Sequence, residues 1–277
     1  MVQLGAVAFV FVAGLLTAVA TGVGALPFFV VDDFDDRWNV ALWGLASGIM
    51  VSASVFGLIF EGLAEGSVFG TARFGAVVLP TGIGPGLVTG VVLVVVSHRV
   101  IHDYEVSPKR YEAADFKKLV LILGVLTVHS FPEGVAVGVS FAELGFEGGL
   151  AILGFSVPLL AVFMTVAISI HNVPEGLAVS IPLRALDVPK WRMVWWAVFS
   201  SLPQPVGAVV AFTFVRVARE FVPFGFGFAA GAMIYLVASE FVPEALETGR
   251  DLPSGGRPEL VAGVLAGVLL MLPLAFV

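Results

Sequence analysis

The chain lacks cysteine altogether and carries few charged residues. Only 13% of its 277 residues are Asp, Glu, Lys or Arg, whereas a soluble domain has about 25%. The absence of cysteine excludes disulfide bonds and thiolate metal ligands. The net charge of −7 is modest and dispersed along the chain, which argues against a nucleic-acid-binding protein. No polar stretch is long enough to form a separate soluble domain.

What the chain does contain is apolar sequence, with 58% hydrophobic residues and a mean hydropathy of +1.03. At about 20 residues per span, this length allows seven or eight membrane helices. The first apolar run has no basic segment before it, so we interpret it as a span rather than a cleaved signal. We predict an all-α integral membrane protein whose residues 1–277 form a single polytopic domain in the lipid bilayer. The eight predicted spans are 4–31, 40–65, 72–97, 118–142, 149–183, 193–215, 222–246 and 259–277.

The positive charges predict the orientation of these spans, because Lys and Arg are enriched on the cytoplasmic side. With the N-terminus outside, 11 of the 14 basic residues fall in inner loops and three fall outside. The longest inner loop is the basic segment 98–118, between the third and fourth spans. We therefore expect a multi-pass protein of the plasma (cytoplasmic) membrane, with both termini external.

One motif occurs twice within these spans. The first copy is His129-Ser130-Phe131-Pro132-Glu133-Gly134, and the second is His171-Asn172-Val173-Pro174-Glu175-Gly176. A spacing of four residues places each histidine and its glutamate on one helix face. Ionisable residues inside a membrane are costly, and they usually serve a function. The prolines cannot donate a backbone hydrogen bond, so each frees a carbonyl group beside a hydrated path.

Two imidazoles and two carboxylates form a ligand set that suits zinc, and also cadmium, iron(II), manganese or cobalt. We therefore predict a metal site formed by His129, Glu133, His171 and Glu175. The carboxylates neutralise a divalent cation, so the loaded site is less costly to bury than the empty, ionised one. They also bind protons when the metal is absent, so metal affinity should depend on pH.

Other interpretations remain open at this point. An intramembrane zinc-dependent hydrolase would use the same ligands to activate water, although neither motif has the H-E-x-x-H order of zinc proteases. A carrier of organic solutes would not need two such motifs. His98 and His102 lie in the predicted inner loop, where they would either capture metal leaving the pore or simply be solvated histidines. The sequence also leaves open whether two copies form a homodimer.

The segments H-S-F-P-E-G-V-A-V-G-V-S-F and H-N-V-P-E-G-L-A-V-S-I-P-L resemble the fourth and fifth helices of the ZIP family (Zrt-, Irt-like metal transporters), in its prokaryotic branch. The resemblance covers essentially the whole chain. It implies uptake of a divalent metal, zinc above all, into the cytoplasm through helices two, four, five and seven. It also implies an eight-helix bundle with an inverted repeat, in which spans one to three are related to spans six to eight around spans four and five.

The same resemblance implies roles for further residues. Met50 matches a position that approaches the main site, and Glu240 matches an acidic position in the family's path. Ser130, Asn172 and Gln204 match positions that help to form a second metal site. Relatives with two metals carry a carboxylate where this chain has Gln204, and relatives often carry an asparagine where this chain has Ser130. Because of these two differences, we expect one tightly held metal. Glu61 and Glu65 are expected either to concentrate cations at the entrance of the path or to be ordinary interfacial charges. Glu244 is expected to lie at the inner exit.

Overall fold

The computed structural model describes residues 4–31, 35–68, 77, 80–103, 113–146 and 148–273, which are mostly helical. The prediction of an all-α protein is confirmed at this level, although a short antiparallel hairpin of two strands, β1 (Leu150–Ile152) and β2 (Phe155–Val157), is present as well. The helices in chain order are α1 (Leu4–Val23), α2 (Asp36–Ser52), α3 (Phe60–Val68), α4 (Ile83–Asp103), α5 (Ala113–Ser140), α6 (Leu159–Ala185), α7 (Lys190–Ser200), α8 (Pro203–Val217), α9 (Val222–Leu236), α10 (Val242–Thr248) and α11 (Arg257–Met271).

Six helical stretches of the described chain are long and apolar enough to cross a membrane, as expected of a multi-pass membrane protein. They are Leu4–Val23, Asp36–Glu65, Ile83–Val100, Leu159–Arg184, Lys190–Val217 and Arg219–Thr248. The predicted fourth and eighth spans correspond to α5, of 28 residues, and α11, of 15 residues. The predicted start of the third span at residue 72, the centre of the basic loop at 104–112 and the final residues 274–277 lie outside the described residues.

Three of the predicted spans contain two consecutive α-helices each. A π-helix, Ala53–Ile59, joins α2 to α3, and another, Val237–Phe241, joins α9 to α10, so each pair forms one continuous helical rod. Between α7 and α8 the chain makes a turn, and Pro203 begins the second helix because its fixed φ suits a first turn.

The predicted start of the fifth span, 149–183, is wrong. The chain first forms the β1–β2 hairpin, and α6 begins only after Pro158. Gly148 and Gly154 adopt positive φ values of 99° and 82°, a conformation that glycine adopts at little cost. Glycine-dependent turns thus convert the start of this apolar run into a hairpin.

The helices associate through small residues. The main pairings are α2 with α11, α4 with α9, α5 with α8, and α1 with α6. In lipid, helices associate by close backbone packing rather than by the hydrophobic effect. Eight glycines in the first two pairings lie so near a carbonyl of the opposite helix that a Cβ atom would collide with it: Gly44, Gly48, Gly263 and Gly267 between α2 and α11, and Gly86, Gly90, Gly227 and Gly231 between α4 and α9.

Candidate metal site

The two copies of the repeated motif lie on α5 and α6, and both helices continue through their prolines, Pro132 and Pro174. The four predicted ligands, His129, Glu133, His171 and Glu175, are all at most 2% exposed. The glycine that follows each glutamate is in close contact with another helix, Gly134 with the carbonyl of Gln204 on α8 and Gly176 with that of Thr21 on α1. The ligand-bearing turns are thereby held by α8 and α1.

Three of the four predicted ligands form one compact group. Glu133, His171 and Glu175 each offer a ligand atom, and these atoms lie within 4.8 Å of one another. The Nε2 atom of His171 is 3.3 Å from Oε1 of Glu133, close to the spacing of about 3.3 Å between two ligands of a tetrahedral zinc ion. The Nδ1 atom of His171 and Oε1 of Glu175 have no hydrogen-bond partner among the described residues. We call Glu133, His171 and Glu175 the central group.

His129, the fourth predicted ligand, faces a different neighbour. Its Nε2 atom lies 2.9 Å from Nε2 of His98, and its buried Nδ1 atom has no partner in the described part of the chain. The other ring nitrogen of His98, Nδ1, is 3.4 Å from Oε1 of Glu240. His98, which the sequence analysis placed at the start of the inner loop, lies within α4, which continues as a helix to Asp103. His102 lies on the same helix, but its side chain is not among the described features.

Two of the residues predicted for a second metal position, Gln204 and Asn172, take part in a hydrogen-bond network centred on Gln204. Its Nε2 amide donates to Oε2 of Glu133 over 2.5 Å. Its Oε1 atom accepts from the Thr17 hydroxyl at 2.6 Å and from Nδ2 of Asn172 at 3.1 Å. Asn172 also donates to the backbone carbonyl of Thr17 at 2.7 Å. A neutral amide therefore holds one oxygen of the Glu133 side chain.

Thr17 is a site residue that the sequence analysis missed. It is fully buried on α1, and the network joins it to both Gln204 and Asn172. The available signal was the pair Thr17 and Thr21, spaced four residues apart in an otherwise apolar span. Thr21 in turn lies 2.7 Å from the hydroxyl of Ser201. The first span thus contributes a polar face to the site.

The remaining predicted residues are spread along the molecule. Met50 is fully buried among apolar side chains of the core, and Ser130 is 1% exposed beside His129 in sequence. Glu240 is half-buried in the π-helical segment, and Glu244 is exposed on α10. Glu61 is exposed and Glu65 half-buried on α3. These two glutamates are electrostatic neighbours of Glu143, which itself pairs with Arg219.

Comparisons with known proteins point to one family. The model of the ZIP zinc transporter family matches residues 101–275. A putative zinc transporter of Arabidopsis thaliana is 38% identical over 84% of this chain, which spans only 34% of that longer protein. Zinc transporter ZIPB of Bordetella bronchiseptica is 34% identical over 91% of this chain and 76% of its own length. Zinc transporter GufA of Myxococcus xanthus is 31% identical over 95% of this chain and 96% of its own length.

All three relatives are named as transporters, which decides against the intramembrane hydrolase. The match spans both ligand motifs, on α5 and α6, and also α8, which packs on α5. The bacterial relatives extend it over nearly the whole length of this chain. The chain belongs to the ZIP family of zinc transporters.

Proposed function

We propose that this protein moves zinc across the plasma membrane into the cytoplasm, and that the ion passes through the site between α5 and α6. The observation that carries the proposal is the buried central group of Glu133, His171 and Glu175. Two carboxylates balance the charge of one divalent cation, so a loaded site is much less costly to bury than two unpaired anions. His129 stands one helical turn from Glu133 on α5 and completes the ligand set after a rotation of its side chain.

One metal is held tightly in this proposal. The support is the amide of Gln204, which occupies one oxygen of Glu133 and adds no negative charge. A second divalent ion about 4 Å from the first would be strongly repelled in a low-dielectric interior. The set of one or two imidazoles with two carboxylates also accepts cadmium, iron(II), manganese or cobalt. Magnesium and calcium prefer all-oxygen shells and should compete poorly.

The proposed architecture is an eight-span bundle with an inverted repeat. The interval from Gly44 to Gly227 equals the interval from Gly48 to Gly231 and that from Thr21 to Gln204. The two residues of each pair make matching contacts: the glycines of α2 meet α11 as those of α9 meet α4. Likewise, Thr21 meets Gly176 on α6, and Gln204 meets Gly134 on α5. The two π-helices occupy corresponding places in α2–α3 and α9–α10. A repeat in which α1 corresponds to α8 and α2–α3 to α9–α10 accounts for all of these coincidences.

The test is metal uptake by the purified protein in liposomes, measured for a panel of divalent ions at two pH values. Zinc should enter, and a large excess of magnesium should inhibit far less than cadmium does. Glu133→Ala and Glu175→Ala should each abolish uptake, because the remaining ligands can neither neutralise nor enclose the ion. Glu220→Ala, which removes an exposed carboxylate outside the site, is the matched control and should transport normally. Uptake at the normal rate by either site variant would refute the proposal.

A further inference from the structure

The first helix, α1, packs beside the ligand-bearing helices, and one of its side chains reaches the metal site indirectly. Thr17 on this helix is fully buried. Its hydroxyl lies 2.6 Å from Oε1 of Gln204 and 2.8 Å from the carbonyl of Gly14 on its own helix. The amide of Gln204 in turn donates to Oε2 of Glu133, a member of the central group. Thr17 therefore stands two hydrogen bonds away from a predicted metal ligand.

The orientation of the Gln204 amide matches its neighbours on both sides. Its oxygen faces two donors, the hydroxyl of Thr17 and Nδ2 of Asn172, and its NH2 group faces the side chain of Glu133. A half-turn of the amide would bring its oxygen against the ionised carboxylate of Glu133 and its NH2 group against that of Asn172. Buried polar groups that meet in this way lose their hydrogen bonds at a cost in free energy. The hydroxyl of Thr17 is thus one of two donors that select the observed orientation.

The position of Thr17 is itself fixed by contacts with two other helices. A Cβ atom on Gly14, about one turn before Thr17, would lie 2.7 Å from Cα of Pro205, so the backbones of α1 and α8 are in close contact at this level. The backbone carbonyl of Thr17 also accepts a hydrogen bond from Nδ2 of Asn172 on α6 at 2.7 Å. Groups that orient a metal ligand from behind in this way commonly change metal affinity when they are removed.

We propose that Thr17 is a positioning residue of the metal site. Its hydroxyl fixes the Gln204 amide, and through that amide it holds the Glu133 carboxylate in the geometry that binds zinc. This inference deepens the proposed function and rests on it. Without the hydroxyl, the Glu133 side chain would also adopt orientations that cannot share an ion with His171. Zinc affinity should then fall about threefold to tenfold, the range expected for one buried hydrogen bond of ordinary strength.

The first experiment measures zinc affinity of the purified full-length protein by competition with a chromophoric chelator. Thr17→Val keeps the shape of the side chain and removes the hydroxyl, so it should raise the dissociation constant about threefold to tenfold. Thr17→Ser retains a hydroxyl and should bind zinc like the unmodified protein. Thr165→Val is the matched control and should change nothing, because the hydroxyl of Thr165 donates to the carbonyl of Ala161 on its own helix. An unchanged dissociation constant in the Thr17→Val protein would overturn the inference.

A double-mutant cycle shows whether Thr17 acts through Gln204. Gln204→Leu removes the amide, so it should weaken zinc binding at least as much as Thr17→Val does. If Thr17 acts by positioning that amide, adding Thr17→Val to the Gln204→Leu protein should change the dissociation constant by less than about twofold. The same loss in both backgrounds would overturn the inference and assign Thr17 a packing role.

Zinc uptake into liposomes gives a second readout. Because positioning of a ligand affects the bound ion, Thr17→Val should raise KM and leave kcat within about twofold of the unmodified value. A purely structural defect reduces the amount of folded protein, so it lowers the apparent kcat and leaves KM unchanged. That second pattern would overturn the inference.

Failure of this inference can be told apart from failure of the proposed function. If the Glu175→Ala protein takes up zinc at the normal rate, the proposed function itself fails. If the unmodified protein transports and Glu175→Ala does not, while Thr17→Val binds zinc as tightly as the unmodified protein, only the role of Thr17 is refuted. Should Thr17→Val fail to fold, Thr17→Ala, which also lacks the hydroxyl, takes its place in the cycle with the same expected loss.

Discussion

At the scale of single residues, the proposed preference for one metal depends on the orientation of the Gln204 amide. Its oxygen accepts from Thr17 and Asn172, so its NH2 group is turned toward Glu133. The hydrogen bond from this NH2 group helps to keep the buried Glu133 side chain in place. A glutamate at this position would carry a charge and two acceptor oxygens, and would need a cation between itself and Glu133.

Gln204→Glu should therefore raise the number of bound zinc ions. We expect one zinc per chain for the unmodified protein and two for the variant at modest zinc concentration, because the added carboxylate offsets the repulsion between two divalent ions. The measurement is equilibrium dialysis with elemental analysis, followed by an anomalous map of crystals. Gln204→Leu is the control and should not bind a second ion. Two fully occupied positions in the unmodified protein would contradict this account of Gln204.

At the scale of helices, the ligand-bearing turns depend on close contacts with α1 and α8. A Cβ atom on Gly176 would meet the carbonyl of Thr21 and the Cα atom of Gly24. The backbone of α1 would have to withdraw from α6, and this movement would pull Thr17 away from Asn172, which is now 2.7 Å from the Thr17 carbonyl. Packing of α1 and the polar network of the site are therefore coupled.

Gly176→Val should lower both stability and transport. Overpacking of this kind costs about 1–3 kcal/mol, which should appear as a lower midpoint in thermal unfolding monitored in detergent. Zinc uptake should fall further than the loss of folded protein explains, because the network around Gln204 is displaced. Gly5→Ala is the matched control on α1, where the new Cβ would make only an ordinary contact with Phe155 at 3.4 Å. Equal stability of the two variants would argue against the coupling of α1 to α6.

Some features of these helices could be predicted from the sequence and others could not, for physical reasons. The ligand pairs on α5 and α6 followed from helical spacing alone, and three of those four residues meet in the structure. The hairpin at 150–157 was hidden because its strands are as apolar as a membrane helix, and its turns were marked by glycines such as Gly148 and Gly154. The pairing of His98 with His129 spans two helices and a loop. Spacing within one helix carries no information about such a contact.

At the scale of the whole molecule, the two related halves place similar elements on opposite sides of the membrane in the proposed topology. Glu61 on α3 and Glu244 on α10 are separated by the same interval as Gly44 and Gly227. In the proposed inverted repeat these two exposed carboxylates stand at opposite ends of the path. The molecule then presents an acidic residue to the metal on entry and another on exit.

This topology predicts which loops face the outside of the cell. Asp187, 98% exposed by its side chain, lies between α6 and α7, on the expected cytoplasmic side. Glu220 is exposed between α8 and α9, on the expected outer side. Since the chain has no cysteine, Asp187→Cys and Glu220→Cys each provide a single thiol. A membrane-impermeant maleimide should label the Glu220→Cys protein in intact cells.

The Asp187→Cys protein should be labelled only after the membrane is permeabilised. The two proteins serve as controls for each other, because the introduced thiols are equally accessible once both sides are open. The reverse pattern would place the basic loops outside, and zinc would then leave the cell through the same helices. Labelling of both proteins in intact cells would mean that α7 and α8 together do not cross the membrane, which would remove one span from the proposed eight. The observed pattern therefore fixes both the side of the membrane on which the basic loops lie and the span count on which the inverted repeat depends.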